Sequence, residues 1–400
     1  MRTVFALDRH MLQDPSSSKW FFAHRLILRF ALSAIHIFAW IFVFEFYYHL
    51  NSSVDSALFQ TILLFALSQI VTCLATPYTA RYLRFGARKA MFFGTLLCVV
   101  AFSTLNAAFE GAWGPVGTAL AVTSFALCMG LYRALYWIPY VIESEANTQR
   151  PLSITAQVVV ALAPFIGGLM ITAVVDGAAI LFQIGAVMIA LSLIPLLFVA
   201  DVYENFTLGY REAFQRLLDR EHYRLVRESF FDGMSGAALL FFWPLAAFLL
   251  LGRAYDTLGL ILALTLLIAV VMRRVVRKWM NVSRLSRTAF FDAVLTLTPW
   301  VLRLGVATPL GMITVDSYFY TTSKRTMGAD PFSFEQMADG GTYVDEFTAL
   351  KEIAISLGRI AMCLFGALTL AFTSTPVMFT CVILAAAVGS TATVLWSRAN

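Results

Sequence analysis

A chain of 400 residues that is 60% hydrophobic and only 13% charged is too apolar for an ordinary soluble domain, in which charged residues average about 25%. The formal net charge of +5 raises the question of nucleic acid, but no basic stripe interleaved with aromatics lies on a soluble module, so that class of partner is excluded. All five cysteines (Cys73, Cys98, Cys128, Cys363 and Cys381) fall in apolar stretches without CxxC or Cys/His spacing. They predict free buried thiols, with no metal site and no cofactor.

Residues 1–26 are polar, carry Arg2, Arg9, Lys19 and Arg25, and show no cleavage-site pattern. They read as a retained cytoplasmic tail. Apolar runs of about 20 residues follow, long enough to cross a hydrocarbon core of roughly 30 Å. Hydropathy predicts spans near 27–48, 56–77, 90–108, 114–140, 154–175 and 177–200. A second set is predicted near 233–252, 256–276, 286–306, 307–323, 347–371 and 374–396, with the break between spans nine and ten at Gly305–Pro309. The expected fold class is an all-α polytopic membrane protein of twelve transmembrane helices.

Charge orients the spans. If the N-terminus and alternate loops are cytoplasmic, 24 of the 29 Lys and Arg lie inside. Only Arg253 and Arg303 fall outside, and Arg29, Arg133 and Arg359 lie within spans. This bias predicts both termini in the cytoplasm and a cell-membrane location. Between spans six and seven, Ala213, Phe214, Leu217, Leu218 and Leu225 recur near helical spacing among charges. They predict an amphipathic cytoplasmic helix in a linker over 201–232, which divides the chain into six-helix bundles over 1–200 and 233–400.

Two six-span halves joined by a long connection resemble the major facilitator superfamily. After span two, Arg84, Gly86 and Arg88 are similar to the end of that family's loop signature, although Leu83 stands at the usual acidic position. In span five, Ala163-Pro164-Phe165-Ile166-Gly167-Gly168 is similar to the Gly-Pro-x-x-Gly-Gly motif of its exporting antiporters. There Pro164 removes a helical hydrogen bond and Gly167 and Gly168 permit close helix approach, as a hinge or as plain packing. The resemblance implies two pseudo-symmetric bundles, a cavity lined by spans 1, 4, 7 and 10, and alternating access.

Ionisable groups within spans are costly unless paired or hydrated, and so mark candidate sites. They are His36 and Glu45 in span one, Arg133 in span four, Asp316 in span ten and Arg359 in span eleven, with Glu352 seven residues before Arg359. Asp316 is the expected protonatable carboxylate, with Arg133 or Arg359 setting its affinity for protons or binding solute. Trp40, Trp137, Trp243, Tyr318 and Tyr320 lie on the cavity-lining spans and could face a partly apolar solute or the lipid belt. Pro244 should kink span seven.

Gly233-Met234-Ser235-Gly236 resembles an intramembrane protease motif, but no histidine follows His222, and no phosphate-binding loop is present. Neither enzymatic reading survives. The resemblance implies a monomeric, proton-coupled exporter (an antiporter of small organic solutes, in the inner membrane of a cell that has two). A lipid flippase on the same scaffold and a non-transporting scaffold are the alternatives.

Overall fold

A computed structural model describes residues 15–109, 114–146, 153–204, 206, 208–220, 222–283, 289–322 and 344–398. The first part of the expected tail, Arg150, and Lys324 with Arg325 lie outside the described residues. Twelve main helices run through the described chain. In the first half they are α1 (Pro15–Asn51), α2 (Val54–Tyr82), α3 (Ala87–Phe109), α4 (Gly114–Ala146), α5 (Ile154–Ala173) and α6 (Gly177–Leu196). In the second they are α7 (Tyr223–Leu250), α8 (Tyr255–Ser283), α9 (Ala289–Leu304), α10 (Pro309–Thr322), α11 (Val344–Phe372) and α12 (Thr375–Arg398).

Ten of these are long and apolar enough to cross a membrane. The other two, α9 and α10, have 16 and 14 residues and meet at the predicted break, where 305–308 leave the helix. Two boundaries differ from expectation. The first helix starts at Pro15, within the expected tail, and α7 starts at Tyr223, within the expected linker. In both places a polar helical extension continues an apolar span past the bilayer edge, where hydropathy loses sight of it.

Pairwise packing reveals the symmetry. Helix α1 lies against α5 and α6, α3 against α4 and α6, and α2 against α4. Adding six to each number gives α7 on α11 and α12, α9 on α10 and α12, and α8 on α10, all of which also touch. The halves meet through α2 on α11 and α5 on α8, two contacts that exchange under the same shift. Large apolar side chains such as Val187, Leu191, Leu368 and Val388 point outward, as a bilayer requires and water would not favour.

Small residues set the closest approaches. A Cβ on Gly358 would meet the Phe230 backbone, and one on Gly233 the Ile355 backbone, so α7 and α11 touch main chain to main chain. Gly167 makes the equivalent approach of α5 to the Ala34 carbonyl of α1. Its neighbour Gly168 faces the other half, against Tyr255 at the start of α8, and Gly259 of α8 answers against Pro164. The two glycines of the span-five motif therefore serve different joints, one within a half and one between halves.

The linker returns across the face that carries Arg81, Arg84, Arg88 and Lys89, called the basic face below. Before α7 begins, its described residues include a short helix, Tyr210–Gln215, followed by a 3-10 turn, Arg216–Leu218. Ala213 and Leu217 are buried with Cys73 of the first half and Leu350 and Ile353 of the second, whereas Leu218 is 86% exposed. The amphipathic pattern is thus a tether that touches both halves.

Candidate functional site

The loop signature is tied to the end of α6. Gly86 has φ +118, a left-handed conformation that favours glycine, and a Cβ there would fall on the Asp201 carboxylate. That carboxylate accepts from the Arg88 backbone N–H at 3.0 Å and lies 3.7 Å from its Nε. The Arg88 Nη1 group donates to the Val199 carbonyl at 2.9 Å. Asp201 thus supplies, from a distant part of the sequence, an acid that the loop itself lacks at Leu83. It also faces the unsatisfied N–H groups at the start of α3, where negative charge is favoured. Arg84 lies elsewhere, over the Phe85 ring at 4.6 Å.

Two charge clusters occupy the membrane-spanning region, the first buried and the second partly buried. The first lies inside the second half. Arg303 of α9 donates from Nε and Nη2 to Asp316 Oδ1 at 3.0 and 2.7 Å. Trp243 Nε1 of α7 donates to Asp316 Oδ2 at 2.8 Å. The Arg303 guanidinium is enclosed by the rings of Trp300 and Phe319, at 4.9 and 4.8 Å. Arg303 and Asp316 are both almost fully buried. The partner expected for Asp316, Arg133 or Arg359, is replaced by Arg303, a residue that the charge bias predicts to lie outside. The reason is that α9 is short, so a residue near its end still lies among α7 and α10. Span limits of 286–306 already enclosed Arg303, and that was the available signal.

The second cluster lies between the halves. Arg133 of α4 approaches Glu352 of α11 at 3.6 Å, too long for a hydrogen bond but within ion-pair range. Arg359, two turns further along α11, donates from Nη1 to Gln69 Oε1 of α2 at 3.2 Å. Gln69 in turn donates to Ser68 Oγ at 3.0 Å. His36 of α1 is within electrostatic reach of both arginines. Gln69 carries no formal charge and was not singled out in the sequence; only its burial within a span could have drawn attention to it.

One turn further from the basic face, the halves close on aromatic rings. Trp40 of α1 meets Phe65, Phe125 and Phe241 at 5.0, 5.3 and 5.8 Å. Phe65 and Phe241 stack across the interface at 4.2 Å. Phe241 sits in a π-helical turn, Ala238–Phe242. Pro244 cannot donate to the Leu240 carbonyl, so the expected kink takes the form of a wider turn. Trp137 packs on the Tyr136 and Tyr140 rings within α4, and Tyr318, two residues after Asp316 on α10, is half-buried.

At the face opposite the basic one, Arg253 donates to Glu45 from Nε at 2.8 Å and Nη2 at 2.5 Å. Its guanidinium also covers the Tyr48 ring at 3.9 Å. Burial would lower the pKa of Arg253, but the Glu45 carboxylate more than reverses that and raises it. Asp55 accepts from Thr375 nearby, between the same two halves. Glu45→Gln is expected to weaken this link by about 1 kcal/mol, since both partners are partly exposed. Spin labels at the ends of α1 and α8 should then report a wider separation.

Among the described residues the halves touch at both faces, with buried charge between them. That arrangement, two six-helix units related by exchange of α2–α11 and α5–α8, is the major facilitator fold. The solved structures agree. A D-xylose–proton symporter superposes with a TM-score of 0.62 at 14% identity, covering 93% of this chain and 96% of its own. The human organic anion transporter MFSD10 (TETRAN) superposes with 0.57 at 11% identity, covering 95% and 99%. No protein-family model and no curated protein matches the sequence.

Proposed function

We propose that this multi-pass membrane protein is a secondary transporter that moves a small organic solute by alternating access. The observation that carries the reading is the layer of His36, Gln69, Arg133, Glu352 and Arg359 at the junction of the halves. Buried ionisable groups are costly in a membrane and, where present, mark solute or ion pathways. The moving units are 1–200 and 233–400, joined by the linker over 201–232, and the rocking joints are α2–α11 and α5–α8. Both termini face the cytoplasm of a cell membrane, and the unit is a monomer. Contacts at both faces give an occluded arrangement that opens by separating Glu45 from Arg253 on one side, or Arg133 from Glu352 on the other.

Coupling is to protons through Asp316, and the direction is export, which the likeness of the Pro164–Gly168 segment to exporting antiporters supports. Protonation of Asp316 would release Arg303 and Trp243 from their shared partner, which links proton occupancy to the packing of α7, α9 and α10. The two structural neighbours bear names for different solutes, so the fold selects no solute.

The test is uptake into reconstituted vesicles across an imposed pH gradient, with Asp316→Asn beside the unaltered chain. The variant is expected to lose gradient-driven accumulation while retaining solute exchange at equal pH. Undiminished gradient-driven accumulation would remove Asp316 from coupling.

A further inference from the structure

The two clusters differ in their charge balance. Arg303 faces one carboxylate, Asp316, and the pair is neutral. The layer between the halves holds two guanidiniums, Arg133 and Arg359: Glu352, which Arg133 approaches at 3.6 Å, stands two turns before Arg359 on α11. The carboxylate that acts on both is Glu352, and its oxygen stands 3.6 Å from Arg133. Arg359 is almost fully buried and its hydrogen-bond acceptor is the neutral Gln69 amide. From α1 the layer receives His36, which adds no negative charge. From α7 it receives Gly236, whose missing side chain leaves the Arg359 guanidinium against bare backbone. Among the residues named here, one positive charge is left over.

Hydrogen-bond donors are left over as well. In this region, among the described residues, the buried Nε of Arg133, Nε of Arg359, Oγ of Ser356 and Nε1 of Trp40 have no hydrogen-bond partner, and neither has the Oε2 acceptor of Glu352. They come from α1, α4 and α11, so they belong to both halves and meet at the interface. A planar guanidinium with a spare donor edge is suited to a carboxylate or phosphate oxygen pair. Like charges held together in a partly buried layer repel more than they would in water unless an anion joins them. The aromatic rings of Trp40, Phe65 and Phe241, one turn away, offer an apolar wall to the rest of such a molecule.

From this imbalance we infer that the solute is an organic anion whose acidic group binds between Arg133 and Arg359. Glu352 is the tethered counter-ion that holds Arg133 while the solute is absent. Binding of the anion supplies the missing negative charge and frees Glu352, and because the donors lie on both halves it draws those halves together. This deepens the transport reading at the same site and depends on it only for the route by which the anion arrives.

The test measures binding to the purified full-length protein, through quenching of tryptophan fluorescence and through thermal stabilisation. The probes are matched sets of small mono- and dicarboxylates and phosphate esters, each beside its neutral amide or alcohol and its amine. At least one acid is expected to bind tenfold or more tightly than its uncharged counterpart. Arg359→Gln should erase that preference without weakening the uncharged member, and Arg359→Lys should retain part of it. A purely structural arginine would affect both members equally. Acids that bind no more tightly than their amides, or a preference that survives Arg359→Gln, would overturn the proposal. Arginine-independent exchange of amines across vesicles would overturn it too, while leaving the transport reading intact. Anion binding without any exchange would uphold the site and sink the transport reading instead.

Discussion

Arg303→Met is expected to destabilise the protein by about 3–5 kcal/mol, the range for a buried ion pair that loses one partner. The change leaves the Asp316 carboxylate almost fully buried, with the Trp243 indole as its remaining hydrogen-bond donor. The loss should show as a large drop in melting temperature in detergent. Combining Arg303→Met with Asp316→Leu removes both charges and should recover most of that loss, because an apolar pair of similar volume needs no solvation. If the single change melted like the unaltered chain, the pair could not be holding α9, α10 and α7 together. A double variant no more stable than the single one would show instead that the shape of the site dominates its charge.

The second large effect concerns two glycines in similarly crowded places. Gly358→Ala is expected to lower stability by about 1–3 kcal/mol in every conformation. Its new Cβ would press on the Phe230 main chain, and α7 and α11 belong to the same half. Gly168→Ala creates the same crowding against the Tyr255 carbonyl, but across the α5–α8 joint. Parting of the halves relieves it. The cost therefore falls on one conformation alone, and about 1.4 kcal/mol of it shifts the balance tenfold. Electron–electron resonance between labels at the ends of α5 and α8 should show a wider distribution for Gly168→Ala, with little change in melting. Equal losses of stability and unchanged distances for both variants would contradict rocking at this joint.

Much of the architecture was legible in the chain. Unbroken apolar runs separated by charged loops determined twelve helical units, because in lipid a backbone must bond to itself and a helix is the local way to do so. Proline 244 foretold a disturbed seventh helix, and its missing donor explains the π-helical turn. Isolated intramembrane charges also stood out, since Asp316, Arg133 and Arg359 have no reason to lie in apolar runs unless something meets them. Helix ends were less legible. Past the bilayer surface a helix such as α1 or α7 continues on polar residues, and hydropathy no longer follows it.

What met those charges was a different matter. Asp316 takes Arg303, Arg359 takes Gln69, Glu45 takes Arg253, and the basic loop takes Asp201. Each partner lies on a separate helix or loop whose rotation and depth no local pattern specifies. The sequence by itself determined that this chain folds into membrane helices and that a few of them carry charge into the interior, because burial and helical periodicity are local properties. Only the tertiary structure decided which charges cancel and which do not, because side chains within a few ångströms of one another arrive there from different helices, Gln69 and Arg359 from positions 290 residues apart. The excess positive charge between the halves belongs to that second kind of knowledge.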